Sequence, residues 1–383
     1  MATPLFFPPR PQPLLIRLVQ TVSEPALQWL YRCSIGADAE DIERLRALDG
    51  KRVVYICNHP TMEDGMAIFG LAARARRLWY YIVAWESFKG LQARFLQWMG
   101  CYSIRRGLGD RASITQTLSL LKSPGSQVVI FPEGGCSYQN DTVMPFRSGA
   151  IQMPLQVMAQ LAKQDPESAL YVVPISLKYR YTQPMKTVIH QTLAGLENQL
   201  EIRPDKPDFY ERLIAISNRV LTNLEKTYDL PAAPDLSWNQ RIDRLRQHVI
   251  AQCERQLQLE PGSGPIRERV YRIQALLDTD SPPAGAPELY WTTVRLLNFD
   301  AIYDGYVAAR PTPERFLDTL MRLEREVYQT EHIKPKAHRR AIFRVGEPIN
   351  LNSYVATFRQ NKASTVAALT TTLRTRIQNN LAR

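Results

Sequence analysis

The chain contains little cysteine and little histidine, and these shortages exclude several kinds of site. Five cysteines and five histidines occur in 383 residues. No two cysteines have the CxxC spacing, so neither a disulfide framework nor a zinc knuckle is indicated, and a reducing compartment is expected. The histidines form no HxxxH or HExxH pair. We therefore predict no metal site and no bound cofactor.

Long apolar runs are also missing. None reaches the ~18 residues that a spanning helix needs, so no transmembrane helix is predicted. The apolar start of the chain is interrupted by prolines and arginines between residues 8 and 17. We expect a poor secretory signal and a cytoplasmic protein. The apolar residues from Leu14 to Leu30 predict an N-terminal amphipathic helical segment. It either lies in a membrane interface beside Arg17 and Arg32 or packs on its own domain.

Short apolar runs alternate with helical patterns from residue 51 to 189. Strands are predicted at 53–57, 79–83, 101–104, 127–131 and 171–177. This alternation predicts an α/β fold, a mainly parallel sheet flanked by helices, with ligands bound where strands end in loops. The sequence is thus divided into an N-terminal helical segment (1–50), an α/β core (51–189), a large α-helical insertion (190–338) and a returning strand and helix (339–383).

Charge is unevenly distributed over these segments. The chain has 48 Lys and Arg against 37 Asp and Glu, a net charge of +11. Residues 190–338 hold 19 against 22, a net charge of −3, whereas the rest holds 29 against 15, a net charge of +14. The α/β part is therefore expected to meet an anionic partner. No zinc finger, RNP-type strand or compact basic helix is present, so we expect no nucleic-acid partner.

His59 and Asp64 are the first candidates for chemistry, in Asn58-His-Pro-Thr-Met-Glu-Asp64. Residues five apart in one helix point ~140° from each other. The two side chains can meet only if His59 precedes the helix and Asp64 lies in its first turn, an arrangement that Pro60 favours. Asp64 could then orient one ring nitrogen while the other takes a proton from a hydroxyl. The alternative is an ordinary histidine at a strand end.

Three further segments follow predicted strands or precede a helix. Phe131-Pro-Glu-Gly-Gly135 would form a tight turn that holds Glu133 and the amide of Gly134 near the sheet edge, which suits a hydroxyl or phosphate. Arg105–Arg106 could grip a phosphate in bidentate fashion, and Arg147 precedes a helix whose amides attract anions. Taken singly, the Phe131–Gly135 segment is interpreted first as an ordinary βα turn, and the arginines are equally compatible with solvated charges.

Taken in order, these blocks resemble those of the glycerolipid acyltransferase family, which includes glycerol-3-phosphate and lysophosphatidate acyltransferases. The order is His-x4-Asp at 59–64, a Gly…Arg segment ending at 106, Phe-Pro-Glu-Gly at 131–134 and Val-Val-Pro-Ile at 172–175. The segment 345–349, Val-Gly-Glu-Pro-Ile, is similar to the family's closing strand and turn. The resemblance covers roughly residues 51–189 and 339–383.

The resemblance implies a role for each matching residue. His59 would be the general base on the acceptor hydroxyl, oriented by Asp64, and the oxygen would attack the thioester directly, without an acyl-enzyme. Arg106 would bind the acceptor phosphate, and Glu133 and Gly134 would belong to the acceptor site. The co-substrate would be acyl-CoA or acyl-carrier protein.

Two departures from the family pattern bear on the acceptor. Arg105 stands where an acidic residue is common, and Gly135-Cys136-Ser137 replaces a common Thr-Arg-Ser. The missing arginine removes one phosphate contact, and Arg105 or Arg147 is the hypothetical replacement. Thioester hydrolysis is not favoured, because no Gly-x-Ser-x-Gly elbow occurs and the sequence assigns no base partner to Cys57 or Cys136.

We therefore predict a peripheral membrane acyltransferase that esterifies a lysophospholipid at an anionic membrane surface. The favoured acceptor is 1-acylglycerol 3-phosphate, giving phosphatidate. The same chemistry on glycerol 3-phosphate, another lysolipid or a non-phosphorylated alcohol is the alternative. The alternative from a different functional class is an inactive membrane-binding relative.

Overall fold

The computed structural model describes residues 4–203, 207–233, 235–279, 282–299, 302–331 and 333–382. The chain divides into two compact units. Of the described residues, the α/β unit contains 4–105, Gly109–Arg180 and 338–382. The helical unit contains Arg106–Leu108 and Tyr181–Ala337. The boundaries of the four segments drawn from the sequence stay predictions.

In the part of the chain that the structure describes, an eight-stranded, mostly parallel sheet confirms the predicted α/β fold. The strands are β1 (Cys33–Gly36), β2 (Arg52–Cys57), β3 (Tyr80–Ala84), β4 (Cys101–Ile104), β5 (Gln127–Ile130), β6 (Leu170–Tyr181), β7 (Arg339–Val345) and β8 (Ile349–Asn350). Their order across the sheet is β1-β7-β6-β2-β5-β3-β4, and β8 pairs antiparallel with β6.

Helices account for most of the remaining structure. In the α/β unit they are α1 (Pro13–Tyr31), α2 (Ala39–Arg46), α3 (Asp64–Ala75), α4 (Gly90–Trp98), α5 (Arg111–Lys122) and α6 (Gly149–Gln164). The helical unit adds α7 (Lys186–Gln199), α8 (Phe209–Thr227), α9 (Trp238–Gln256), α10 (Ile266–Leu277), α11 (Ala286–Phe299), α12 (Tyr306–Ala309) and α13 (Pro313–Val327). The chain then returns to the α/β unit with α14 (Val355–Gln360) and α15 (Lys362–Ala382).

The central strand β2 is buried on both faces, which explains its continuous apolar sequence. Val53, Tyr55 and Cys57 join a core formed with α1 to α4. Val54 and Ile56 point to the other face and join a core formed with α5, α6, α14 and α15. Burying each large aliphatic side chain contributes roughly 1.5–3 kcal/mol. The two cores therefore fix the end of β2, from which the candidate site begins.

The helical unit has its own core. Apolar side chains from α7 to α13 form one buried cluster. A buried ion pair joins α7 and α8, because Arg212 Nε and Nη2 donate to the two carboxylate oxygens of Glu197 over 2.7 and 2.6 Å. The pair is bidentate and both side chains are more than nine-tenths buried. Each charge therefore depends on the other for its solvation.

Two predicted elements need correction. The N-terminal segment was expected to be helical, but Cys33–Gly36 forms strand β1, which pairs in parallel with β7. Strand β1 has only four residues between two helices, and so short a segment does not show the alternation of apolar and polar residues by which a strand is recognised in a sequence. Within the helical insertion, the apolar pattern of the sequence predicts one helix over 287–307, but the structure has two helices there, α11 and α12. Gly305, with φ of 93°, immediately precedes α12, and residues 300 and 301 lie outside the described residues.

Helix α1 contains the whole predicted apolar stretch from Leu14 to Leu30. Residues 1–3, at the start of the predicted N-terminal segment 1–50, lie outside the described residues. Ile16 and Leu27 are buried, whereas Leu14 and Trp29 are more than four-fifths exposed. Of the helices that the structure describes, none combines the length and hydropathy needed to cross a lipid bilayer.

Candidate active site

The residues predicted to carry chemistry lie mainly in the loops that follow β2 and β5, two strands that end side by side. β2 pairs in parallel with β5 and with β6, so that Ile56 lies opposite both Ile130 and Pro174. Parallel neighbours end at the same edge, and the loops that follow them therefore meet there. The backbone N–H of His59, after β2, donates to Glu133 Oε1, after β5, over 3.2 Å.

His59 and Asp64 are in contact in the arrangement that their spacing predicts. Helix α3 begins at Asp64, so the histidine precedes the helix and the aspartate lies in its first turn. His59 Nδ1 is 2.7 Å from Asp64 Oδ2. A carboxylate in this place selects the tautomer in which Nδ1 carries the hydrogen and Nε2 carries the lone pair. The pair thus has the geometry of a general base with its orienting group, and the roles themselves stay predictions.

Asp64 is buried but fully hydrogen-bonded. Its side chain is 0% exposed. Besides His59, its Oδ2 accepts from the backbone N–H of Thr61 over 2.9 Å, and its Oδ1 accepts from Thr61 Oγ1 over 2.8 Å and from the Tyr179 hydroxyl over 2.7 Å. Four donors offset the cost of burying an ionised carboxylate. They also prevent the carboxylate from rotating away from the histidine.

The environment of His59 makes its ring a stronger base than a free histidine. The ring stacks on Phe131, with 4.4 Å between the ring centres. Burial lowers the pKa of His59, but the Cys136 sulfur and the Asp64 carboxylate raise it more, and the net pKa lies well above the usual 6.5. The ring therefore binds a proton readily, and it must first lose one to act as a base.

The turn after β5 places Gly134 against Arg147. Gly134 has φ of 72°, and a Cβ on it would lie 2.3 Å from Arg147 Nε. The position therefore needs glycine for both its backbone conformation and its space. The Arg147 N–H donates to the Pro132 carbonyl over 2.8 Å, two residues before α6 begins. The structure thus brings Arg147, which the sequence had proposed as a separate candidate, to the turn that holds Glu133 and Gly134.

Cys136 lies against His59 of the His59–Asp64 pair, a contact of which the sequence gave no indication. Its Sγ is 3.6 Å from His59 Nε2 and 3.9 Å from His59 Nδ1. The two residues are 77 positions apart in the sequence. Their contact depends on the strand order, which places β5 beside β2, and the sequence alone does not show that order.

The two adjacent arginines have separate surroundings. Arg106 belongs to the helical unit, where its guanidinium lies 4.2 Å from the centre of the Tyr271 ring. Arg105 belongs to the α/β unit, where its backbone N–H donates to Asp110 Oδ2 over 2.8 Å and its guanidinium lies 5.9 Å from the centre of the Trp85 ring. Each arginine therefore has its own aromatic neighbour. Phosphate binding by Arg106 stays a prediction.

Metal ligands show no clustering in the part of the chain that the structure describes. Within those residues, no group of three or more His, Cys, Asp or Glu side chains is arranged to hold a metal ion. His332 lies outside the described residues. Metal binding therefore plays no part in the proposal below.

Several residues around the site were missed from the sequence. Tyr179 binds Asp64 because β6 continues to Tyr181, beyond the predicted end at Leu177. The Asn58 side chain donates to and accepts from the Leu177 backbone, both over 2.8 Å. The alternation of Leu177 and Tyr179 was the available signal for the longer strand. No sequence pattern indicated the contact of Asn58.

Comparison with known proteins points to the same segment. A family model described as Acyltransferase matches residues 37–178. The match includes His59, Asp64, Glu133, Gly134 and Arg147, and it confirms the resemblance found from the motifs. No curated protein matches the chain.

Proposed function

Because residues 37–178 belong to the acyltransferase family, we propose that the chain transfers a fatty acyl group from a thioester to the hydroxyl of a lysophospholipid. The favoured acceptor is 1-acylglycerol 3-phosphate, and the product is then phosphatidate. The donor is acyl-CoA or acyl-carrier protein, a co-substrate and not a bound cofactor. The family supports acyl transfer; the acceptor, donor and mechanism are the proposal.

The contact between His59 and Asp64 carries the mechanism. With Nδ1 donating to Asp64 over 2.7 Å, His59 Nε2 is the atom that takes the proton of the acceptor hydroxyl. The acceptor oxygen then attacks the acyl thioester, and the proton passes to the departing thiolate. Asp64 stabilises the imidazolium that forms between these steps.

Charge and position support an anionic acceptor. The guanidinium of Arg147 packs on Gly134, beside Glu133 and the His59 backbone. It therefore lies at the edge where a hydroxyl positioned on His59 would carry its phosphate, and it takes the place of the arginine absent at Cys136. A bidentate contact with phosphate is the interaction that a guanidinium makes best.

The exposed face of α1 supports attachment to a membrane surface. Leu14, Leu18, Val22 and Trp29 are all at least half exposed, and at 100° per residue they fall within about 80° of one another. On α4, Leu91 is 85% exposed. An apolar stripe on a basic unit suits the interface of an anionic bilayer, where an acceptor lipid would lie.

A panel of acceptors tests the proposal. Purified protein is given one saturated acyl-CoA, then acyl-carrier protein loaded with the same chain, with lysophosphatidate, glycerol 3-phosphate, lysophosphatidylcholine or a non-phosphorylated alcohol. The expected result is faster release of donor thiol, and one new ester, with lysophosphatidate. Equal rates with and without every acceptor would refute acyl transfer, and preference for another acceptor would refute the assignment of lysophosphatidate.

Arg147→Ala tests the acceptor site within the same panel. The expected result is a KM for lysophosphatidate raised by at least about tenfold, with a much smaller change for the donor, because one charge-assisted phosphate contact is lost. Lys163→Ala, a charge removed near the other end of α6, is the matched control. Equal effects of Arg147→Ala on both substrates would contradict the role.

A further inference from the structure

We propose that Tyr179 is a positioning residue of the His59–Asp64 pair: its hydroxyl fixes the Asp64 carboxylate against the ring and limits the negative charge that the carboxylate presents to it. The inference rests on the proposed acyl transfer with His59 as base, and it deepens that proposal. Tyr179 belongs to none of the four motif blocks, since it lies in β6 beyond Val-Val-Pro-Ile at 172–175. The family resemblance therefore gave it no role.

Three side chains form a continuous line of contacts through the carboxylate. The Tyr179 hydroxyl donates to Asp64 Oδ1 over 2.7 Å, and Asp64 Oδ2 lies 2.7 Å from His59 Nδ1. Thr61 adds one donor to each of the two oxygens. Each oxygen is therefore bound on its own side, and the carboxylate cannot rotate away from the ring without breaking these hydrogen bonds.

Tyr179 is held by its backbone, independently of its hydroxyl. Its N–H donates to Asn140 Oδ1, and Asn140 Nδ2 donates back to its carbonyl over 2.6 Å. Asn58 binds the backbone of Leu177 in the same two-way fashion. The pairing of β6 with β2 ends at Ile175, so the two asparagine side chains continue the hydrogen bonding of β6 beyond that point. Removing the hydroxyl therefore leaves the ring in place.

A buried cation faces the ring of Tyr179. The Arg339 guanidinium lies 4.6 Å from the ring centre, and Arg339 is 3% exposed. Burial raises the pKa of Tyr179 well above its usual value, and the charge of Arg339 opposes part of that rise. The hydroxyl thus keeps its proton while His59 titrates, and it remains a hydrogen-bond donor to Asp64 throughout.

The hydrogen bond limits how strongly Asp64 attracts the protonated ring. A donor on one carboxylate oxygen stabilises the negative charge there, so the carboxylate holds a neighbouring cation less tightly than a bare one would. A base must lose its proton before it accepts another, so this restraint favours the form of His59 that works. The other titratable or charged groups around this line are Cys33, Cys57, Glu63, Glu133, Cys136 and Arg339.

Nuclear magnetic resonance of the full-length chain measures the proton affinity of His59 without substrate. The chain has five histidines, so ring-¹³C-labelled histidine gives few signals, and the signal absent from His59→Gln is that of His59. In Tyr179→Phe its titration midpoint is expected to move up by at least about 0.5 pH units, because one hydrogen bond to the carboxylate is lost.

Tyr102→Phe is the matched control for the loss of a buried tyrosine hydroxyl. The Tyr102 hydroxyl is also buried in the α/β unit, but it contacts the neutral hydroxyl of Thr117 over 2.8 Å. Its removal changes no hydrogen bond of Asp64. The His59 midpoint is therefore expected to stay at its native value in this variant.

A second substitution at the same position reverses the sign of the effect. Tyr179→3-fluorotyrosine, introduced at this position alone, keeps the hydroxyl and makes it a stronger donor, because fluorine makes a phenol more acidic. The His59 midpoint is expected to move to lower pH. A loss of packing cannot move the midpoint in opposite directions in the two variants. Thermal unfolding shows whether each variant is folded, and the fluorinated variant keeps every native contact if Tyr179→Phe does not fold.

Release of donor thiol with lysophosphatidate gives the second measurement. The acid limb of kcat/KM is expected to follow the His59 midpoint, upward in Tyr179→Phe and downward in the fluorinated variant. Below the midpoint, a shift of 0.5 pH units corresponds to a loss of at least about threefold in kcat/KM for Tyr179→Phe. Tyr102→Phe is expected to keep the native profile.

The outcomes distinguish this inference from the proposed function. Opposite shifts of the His59 midpoint, with no ester formed from any acceptor by the native protein, would support the role of Tyr179 and refute the acyl transfer. Any other pattern of midpoints would overturn the role of Tyr179. Ester formed by the native protein alongside such a pattern would leave the acyl transfer standing.

Discussion

Replacing Asp64 with asparagine removes the charge that faces His59 and keeps the shape of the side chain. The carboxamide oxygen can still accept from His59 Nδ1 and the Thr61 amide. Its NH₂ group would face the hydroxyls of Thr61 and Tyr179, which can rotate to accept. The variant is therefore expected to fold, with a loss of stability of about 1–3 kcal/mol from imperfect pairing.

The effect of Asp64→Asn on the rate follows from the charge that His59 acquires. When the ring takes a proton, its positive charge lies about 4 Å from the centre of the carboxylate, and at an effective dielectric constant of about 20 the attraction is about 4 kcal/mol. Losing this stabilisation of the transition state is expected to lower kcat about a thousandfold. Such a loss lies within the range expected for general acid–base catalysis.

The same variant shifts the dependence on pH. A base must be neutral to accept a proton, so activity rises with pH through the pKa of His59, which lies well above 6.5 in the native protein. The Asp64 carboxylate contributes to that raised pKa. In Asp64→Asn the pKa falls, and the acid limb of kcat/KM therefore moves to lower pH while its plateau drops.

Release of donor thiol, followed from about pH 5 to pH 9, measures both effects. Glu63→Gln is the matched control, because it removes the same charge from the neighbouring residue, whose carboxylate lies 3.7 Å from Arg339 Nη2. Its plateau and acid limb are expected to match those of the native protein. An Asp64→Asn plateau within about tenfold of the native value, with an unmoved acid limb, would contradict stabilisation of the His59 imidazolium by Asp64.

Three further changes probe the glycine turn, the helical unit and α1. Gly134→Ala places a Cβ 2.3 Å from Arg147 Nε in a left-handed backbone, and it is expected to lower kcat/KM by at least about tenfold. Gly149→Ala, where nothing lies within 4 Å of the added Cβ, is the control and is expected to keep the native kcat/KM. Equal activities of the two variants would contradict a role of the turn in the site. Arg212→Met leaves the buried Glu197 carboxylate without its ion-pair partner and is expected to lower the free energy of unfolding of the full chain in urea by about 3–5 kcal/mol. A smaller loss would show that water solvates the pair. Leu18→Glu with Trp29→Glu should abolish co-sedimentation with vesicles of phosphatidylcholine and phosphatidylserine, and unchanged binding would exclude α1 as the anchor.

Much of the α/β unit could be predicted because its signals are local. The apolar runs at β2, β4 and β5 lie in short segments bounded by turn residues, and the predicted strand at 101–104 has the observed ends. The meeting of His59 and Asp64 was also predictable, since Pro60 and five residues of spacing decide it. Strand β1 was missed because four residues carry little periodicity. Strand β6 was cut short because its last residues are polar.

The contacts that complete the site depend on tertiary structure. Tyr179 reaches Asp64 from 115 positions away, and Cys136 reaches His59 from 77. Both contacts require β6 and β5 to flank β2, an order that no local pattern specifies. The family resemblance supplied roles for the positions that match its motifs, but it gave none to Cys136, where this chain departs from the common motif.

The most direct test of the central claim is ester formation by His59→Ala and His59→Gln under single-turnover conditions with lysophosphatidate and palmitoyl-CoA. Both variants are expected to remain folded and to lose ester formation by about 10²–10⁴-fold, because the group that takes the acceptor proton is gone. Ester formed by either variant within about tenfold of the native rate would contradict a general base at His59.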